Sequence, residues 1–276
     1  MSGLRSLQYF SRKCANSILL SVVIICTPNV YAQTAKPLVR IITTEHPPLV
    51  GTHNTILSDI VLAAFHSQNI QIEYVTYPIA RISWAMDKEK SSIAQGGFDW
   101  FQNSQQNQEL IFIPIYYTTM NLFALKKHFP TGVHYDSLGE LKRYRIGYVL
   151  GGVLSPMLTK AEITPYFVSS FQQTAQLLTR ERIDMFVAPA VVGWQAIGEL
   201  NDQDRSAFTI SEQALKTASA DIILHKNQKE LANTFKEGLK VIINNGHYLE
   251  IIKKYHGSTA LPPPTKKLIH QYQNTQ

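Results

Sequence analysis

Residues 38–75 read LVRIITTEHPPLVGTHNTILSDIVLAAFHSQNIQIEYV and contain a strand, a helix and a second strand. The apolar runs at residues 38–42 and 72–75 predict the two strands. Between them, from about residue 54 to residue 68, apolar side chains recur at three- and four-residue spacing, which indicates an amphipathic helix. A helix that connects two short apolar strands places them parallel in one sheet. This stretch therefore predicts an α/β fold.

The same alternation continues along the chain. Further short apolar segments have the length and composition of buried strands, and the segments between them have helical periodicity. The predicted strands lie at residues 92–95, 144–148 and 183–187, and the predicted helices at residues 79–86 and 171–180.

The C-terminal part has a different pattern. Apolar stripes predict two helices that are separated at Asn245-Gly246, the second of which stops at Gly257. Residues 258–276 contain three consecutive prolines and polar side chains, a composition that predicts an extended, unpacked tail.

The N-terminal 32 residues have the pattern of a secretory signal. Three basic residues and no acidic one precede an apolar run at residues 18–26, and Ala32 ends a segment of small or medium residues. We expect cleavage after Ala32 and a periplasmic mature protein. A membrane anchor is the alternative, but the run is shorter than the roughly 18–20 residues that a bilayer requires. Lipoprotein processing at Cys26 is disfavoured because Ile25 is bulky.

Charge, cysteine content and the absence of catalytic motifs argue against several classes of protein. The net charge of +6 falls to +6 − 3 = +3 when the three basic residues of the signal are removed, and the basic residues that remain are scattered. The sequence therefore lacks the cluster of basic residues that is typical of nucleic-acid-binding proteins. Both cysteines, Cys14 and Cys26, lie in the signal, so the mature chain has no disulfide and no thiolate metal site. We also find no HExxH, GxSxG or phosphate-loop motif, and we expect neither an enzyme nor a cofactor.

Five stretches resemble the bacterial extracellular solute-binding proteins of family 3, which serve polar amino acid uptake by ABC transporters. They occur in the family's order over nearly the whole mature chain, and Ile79 replaces the usual tryptophan of the second. The stretches are Pro47-Pro48-Leu49, YPIAR at 77–81, FIPIYY at 112–117, LGELKRYRIG at 138–147, and residues 226–257.

The resemblance implies the type II periplasmic-binding-protein fold, in which two α/β lobes are joined by two crossing hinge strands. We place these strands near residues 119–124 and 218–223. Residues 37–120 with 222–257 would form the first lobe, and residues 124–217 the second. A ligand would lie where strand C-termini and helix N-termini of both lobes converge, and hinge closure would bury it.

The function implied is capture of a small polar or anionic, amino-acid-like molecule by a monomer that delivers it to the permease of an ABC transporter. Two alternatives keep the same fold. One is a ligand sensor that docks on a membrane receptor, and the other is a periplasmic dehydratase, which rests on fold-level analogy alone.

Candidate ligand-binding residues follow the predicted strands or begin helices. Glu45 and His46 follow the first strand, where the family lines its pocket, although a solvated loop is equally compatible with them. Arg81 is compatible with a bidentate carboxylate contact or with an ordinary surface position. Paired glycines allow close backbone approach, and aromatic rings supply either pocket walls or core. The full predicted set is Glu45, His46, Arg81, Gly97, Phe98, Asp99, Tyr116, Gly151, Gly152 and Pro189, with Trp100 as a further aromatic candidate.

Two departures from the family pattern bear on the ligand. Gln106 stands where the carboxylate-binding arginine is expected, and Ala188-Pro189-Ala190 stands where the ammonium-binding acid is expected. A buried zwitterion without counter-charges is strongly disfavoured. Either Arg81, Glu45 and Asp99 replace the missing groups, or the ligand is another kind of molecule. We therefore expect weak binding of ordinary L-α-amino acids.

Overall fold

The computed structural model describes residues 37–101, 108–200, 204–256 and 261–274. The predicted signal segment, Gln106 and Gly257 lie outside these residues. Within the described ranges, no helix combines the length and the apolar character that crossing a membrane requires.

Strands and helices alternate through most of the described chain. The strands are β1 (Leu38–Thr43), β2 (Gln71–Thr76), β3 (Ile93–Gly96), β4 (Leu110–Leu125), β5 (Ile146–Val149), β6 (Tyr166–Val168), β7 (Met185–Pro189), β8 (Phe208–Ile210) and β9 (Lys216–His225). The helices are α1 (Ile56–Ser67), α2 (Ile79–Lys88), α3 (Ser155–Lys160), α4 (Phe171–Thr179), α5 (Ala190–Gly198), α6 (Lys229–Asn244), α7 (His247–His256) and α8 (Pro263–Asn274).

All nine of these strands form one mixed sheet in the order β2-β1-β3-β9-β4-β7-β5-β6, and β8 pairs with β4. Strands β1, β2 and β3 are mutually parallel, as are β5, β6 and β7. The predicted parallel pairing is therefore confirmed within each of these groups. Strands β4 and β9 contain the segments at residues 119–124 and 218–223 that the resemblance, and not the periodicity, predicted as hinge strands. They run antiparallel to each other and to their neighbours.

The two long strands β4 and β9 connect the halves of the sheet. They pair with each other from Leu110 opposite His225 to Met120 opposite Lys216. The far end of β4 then pairs with β7, while the far end of β9 pairs with β3. We call β1–β3 with their helices the first half and β5–β8 with their helices the second half. The architecture is thus the predicted mixed α/β fold with two crossing strands; the exact lobe boundaries stay a prediction.

Helix α1 illustrates how the sequence builds the first half. Thr55 caps it, because its side-chain oxygen accepts a hydrogen bond from the backbone N–H of Ser58 at 3.2 Å. The apolar face of α1 packs into the main core together with α6. The helices approach closely at Gly238 of α6, where a Cβ atom would overlap the backbone carbonyl of Ala64.

The C-terminal tail is not extended, and this prediction was wrong for residues 263–274. They form α8, in which Thr265, Leu268 and Ile269 are buried. Prolines suit the first turn of a helix, since the N–H groups that they lack have no partner there. The proline run therefore starts a helix, and the two apolar residues one turn further hold it against the core.

Candidate functional site

A cavity of about 90 Å³ lies where the two halves of the sheet meet β4 and β9. The first half contributes the loop after β1 and the turn after β3. The second half contributes the loop after β5 and the first turns of α4 and α5. Apolar side chains make up most of the wall: Leu49, Val50, Leu57, Ile79, Met120, Val149, Val153, Phe171 and Val192.

His46 is held in the cavity wall by the tight loop after β1. Its backbone N–H donates to the carbonyl of Val50 at 2.8 Å, and the N–H of Val50 donates back at 3.1 Å. Its ring meets the edge of Phe171, the first residue of α4, with 5.5 Å between the ring centroids. Burial lowers the pKa of His46, against a smaller opposing effect of Glu45. A neutral imidazole offers one donor and one acceptor to a ligand.

A buried carboxylate, that of Asp221, holds the turn that follows β3. Asp221 of β9 is 1% exposed and accepts hydrogen bonds from the backbone N–H of Phe98 at 2.8 Å and from the hydroxyl of Ser219 at 2.9 Å. Burial raises the pKa of Asp221 to about 6, although both hydrogen bonds oppose the rise. Asp221 therefore positions the turn that presents Gly97, Asp99 and Trp100 to the cavity.

Asp99 lies in the cavity wall and is paired. Its carboxylate lies 2.6 Å from the ammonium of Lys216, the first residue of β9, and the two side chains are 8% and 31% exposed. Asp99, one of the residues that would have to replace the missing charged groups, thus already has a cationic partner within the protein.

Tyr148 forms the opposite wall at the end of β5. Its ring is 1% exposed, and its hydroxyl accepts a hydrogen bond from the backbone N–H of Leu154 at 3.0 Å. A Cβ atom at Gly152 would overlap this ring. The absence of a side chain at Gly152 therefore leaves room for the ring of Tyr148.

The cavity brings together residues from both halves that the sequence singled out. The predicted residues among its lining are His46, Gly97, Asp99, Gly152 and Pro189, together with Trp100. Whether they contact a ligand stays a prediction.

The other predicted residues are not among the lining of this cavity. Glu45 accepts a hydrogen bond from the backbone N–H of Thr52 at 3.0 Å. Arg81 and Gly151 are exposed. Phe98 is 40% exposed, and its ring packs edge-on against that of Phe112.

Tyr116 is buried and lines a separate cavity of about 750 Å³. Its hydroxyl lies 2.5 Å from Nε2 of His256 in α7. Burial lowers the pKa of His256 and raises that of Tyr116. Its ligand-binding role stays a prediction.

Sequence reasoning missed Tyr148, Phe171, Lys216 and Asp221. Tyr148 and Phe171 carried a usable signal, because one ends a predicted strand and the other begins a predicted helix. Lys216 lies just outside the hinge strand predicted near residues 218–223, and Asp221 lies within it, but nothing in the sequence marked either residue as part of the site. Among the described residues, no three His, Cys, Asp or Glu side chains group closely enough to hold a metal ion.

A family model described as bacterial extracellular solute-binding proteins, family 3, matches residues 50–258. The chain belongs to this family. The predicted family is thereby confirmed, and four of the five stretches that carried the resemblance lie within the matched residues, whereas Pro47-Pro48-Leu49 precedes them. Membership in family 3 supports the binding of a small-molecule ligand. A comparison with curated proteins finds no match.

Solved structures match the family 3 chain over most of its length. A histidine kinase sensor domain with similarity to periplasmic binding proteins is 14% identical, with a TM-score of 0.65 over 83% of this chain and 98% of the other. The GluR0 ligand-binding core of Nostoc punctiforme in complex with L-glutamate is 16% identical, with a TM-score of 0.62 over 79% and 98%. The ancestral amino acid-binding protein AncCDT-1, a precursor of cyclohexadienyl dehydratase, is 14% identical, with a TM-score of 0.63 over 79% and 95%. At these identities the likeness shows the type II periplasmic-binding-protein fold.

Proposed function

We propose that this protein is an exported solute-binding protein that captures a small molecule in the cavity between the two halves of its sheet. The observation that carries the proposal is the composition of the cavity wall. His46 and Trp100 come from the first half, Tyr148 and Phe171 from the second, and β4 and β9 cross beneath them. A ligand that touches both halves stabilises their closed arrangement, because those contacts are lost when the halves separate.

Closure can be measured directly. We expect a bound ligand to raise the melting temperature and to reduce the radius of gyration in solution scattering. The screen should include amino acids, small carboxylates, amides, alcohols and polyamines. Saturable binding with an unchanged radius of gyration would contradict capture by lobe closure.

Export is the second part of the proposal. The pattern of residues 1–32 supports removal of a signal after Ala32. N-terminal sequencing of protein from a periplasmic extract should then begin at Gln33. Membrane-bound protein that retains residues 1–32 would contradict it.

Delivery to an ABC permease is the partner proposal that family 3 membership supports. Deleting the permease should then abolish uptake of the ligand while leaving its binding unchanged. If uptake persists and the ligand instead alters a membrane receptor's signalling, the sensor alternative holds.

A further inference from the structure

The space above two cavity glycines is occupied by aromatic side chains. A Cβ atom at Gly96 would overlap the indole of Trp100, and one at Gly152 would overlap the phenol of Tyr148. Glycines at strand ends commonly let a ligand approach the backbone. Here the two rings make that approach, so at these two glycines a ligand meets an aromatic ring and not the peptide backbone.

The side chains of the cavity offer little to balance a ligand's charge. Among the described lining residues, His46 and Asp99 are the ones whose side chains ordinarily ionise below pH 8. Asp99 is paired with Lys216 at 2.6 Å, and burial lowers the pKa of His46. A zwitterion transferred into this wall would lose its hydration without gaining two counter-charges, which is strongly unfavourable.

The cavity is also small. An apolar protein cavity of roughly 150 Å³ accommodates benzene, so a cavity of about 90 Å³ favours a smaller, short-chain molecule. The ring of Tyr148 is anchored by Leu154, whereas that of Trp100 is less buried.

We propose that the cleft selects a short-chain aliphatic molecule with one uncharged polar group, such as a primary amide or an alcohol, and discriminates against α-amino acids. Trp100 and Tyr148 determine this specificity by filling the space above the glycines, and the ring of His46 supplies the polar contact. The inference rests on the proposed capture of a ligand in this cavity.

Three molecules of equal size and shape test the charge preference: propanamide, propanoate and glycine. We expect propanamide to bind at least tenfold more tightly than either charged molecule, in NMR titrations of the full mature protein at neutral pH. L-Glutamate should bind no better than glycine, because it is larger as well as charged.

The outcomes separate this inference from the proposed function. Tighter binding of glycine, propanoate or L-glutamate, with compaction in solution scattering, would overturn the ligand class and leave ligand capture intact. Absence of binding and compaction with every compound in the wider screen would overturn both.

A pair of tryptophan variants tests where the ligand lies. Trp100→Ala should create room for an added ring, so indole should raise the melting temperature of this variant and not that of the parent. Trp84→Ala is the matched control, since its side chain is 54% exposed on α2. Equal stabilisation of all three proteins, or of none, would overturn the assignment of Trp100 as the filling side chain. If Trp100→Ala does not fold, the comparison of propanamide with glycine on the parent still decides the inference.

Discussion

The carboxylate of Asp99 and the ammonium of Lys216 lie 2.6 Å apart, although 117 positions separate the two residues in the sequence. The pair ties the turn after β3 to the first residue of β9, next to Met120 of β4. It therefore links the cavity wall directly to the crossing strands.

The first prediction concerns the energy of this pair. Lys216→Met should lower the free energy of unfolding by about 1–3 kcal/mol, because it removes the ammonium group that lies 2.6 Å from the largely buried Asp99 carboxylate. Asp99→Asn removes the charge and should partly restore stability in the double variant. Urea unfolding of the parent, both single variants and the double variant gives the coupling energy. Strictly additive effects would mean that the pair contributes nothing.

The second prediction concerns the buried carboxyl of Asp221. Its folded-state pKa of about 6 lies above the ordinary aspartate value of 3.8, so between these pH values the folded protein binds more protons than the unfolded one. Stability from this group is therefore present at low pH and lost as pH rises from about 4 to 6. The loss amounts to roughly 3 kcal/mol at ~1.4 kcal/mol per pKa unit.

Asp221→Asn tests this dependence, because an amide keeps an acceptor for the N–H of Phe98 and does not ionise. The unfolding free energy of the variant minus that of the parent should increase between pH 4 and pH 7. Other titrating groups cancel in this difference. A difference that is constant over the range would contradict the raised pKa.

The fold was predictable because its signals are local. The apolar periodicity of α1 and the strands on either side of it define a parallel unit without any long-range information, and the ends of β1 and β3 placed His46 and Gly97 at the cavity. The proline run at the C-terminus led to a wrong prediction because only its local composition was considered, and proline is common in extended chain. Leu268 and Ile269 stabilise a helix there through contacts that composition does not reveal.

The chemistry of the cavity was predictable only in part. Gly96 and Gly152 are visible in the sequence, but the rings that fill their space depend on side-chain packing. The pairing of Asp99 with Lys216 depends on the register of β4 against β9, which one sequence does not specify. Arg81 matched a family motif, yet its side chain is exposed and is not among the lining of the cavity.

The third prediction concerns the contact between α1 and α6. Gly238→Ala should destabilise the protein by about 1–3 kcal/mol, because the added methyl group meets the backbone carbonyl of Ala64, which cannot rotate away. Gly198→Ala in α5 is the matched control. A Cβ atom there meets nothing within 4 Å, so the higher helix propensity of alanine should leave stability unchanged or slightly increased. Thermal unfolding measures the stability of both variants. A Gly238→Ala variant as stable as the parent would refute the close contact between α1 and α6.

The last prediction concerns the attachment of α8 to the crossing strand β4. The hydroxyl of Thr265 accepts a hydrogen bond from the backbone N–H of Tyr117 at 3.1 Å and donates to the carbonyl of the same residue at 3.3 Å. Thr265→Val keeps the shape and removes both bonds, so we expect a loss of about 1–2 kcal/mol in unfolding free energy. It should also give faster hydrogen exchange at the Tyr117 amide. Thr265→Ser keeps the hydroxyl and should leave that amide protected, even though loss of a buried methyl group lowers global stability by about 1 kcal/mol. Equal exchange rates at Tyr117 in the two variants would mean that the hydroxyl does not hold α8 to the strand.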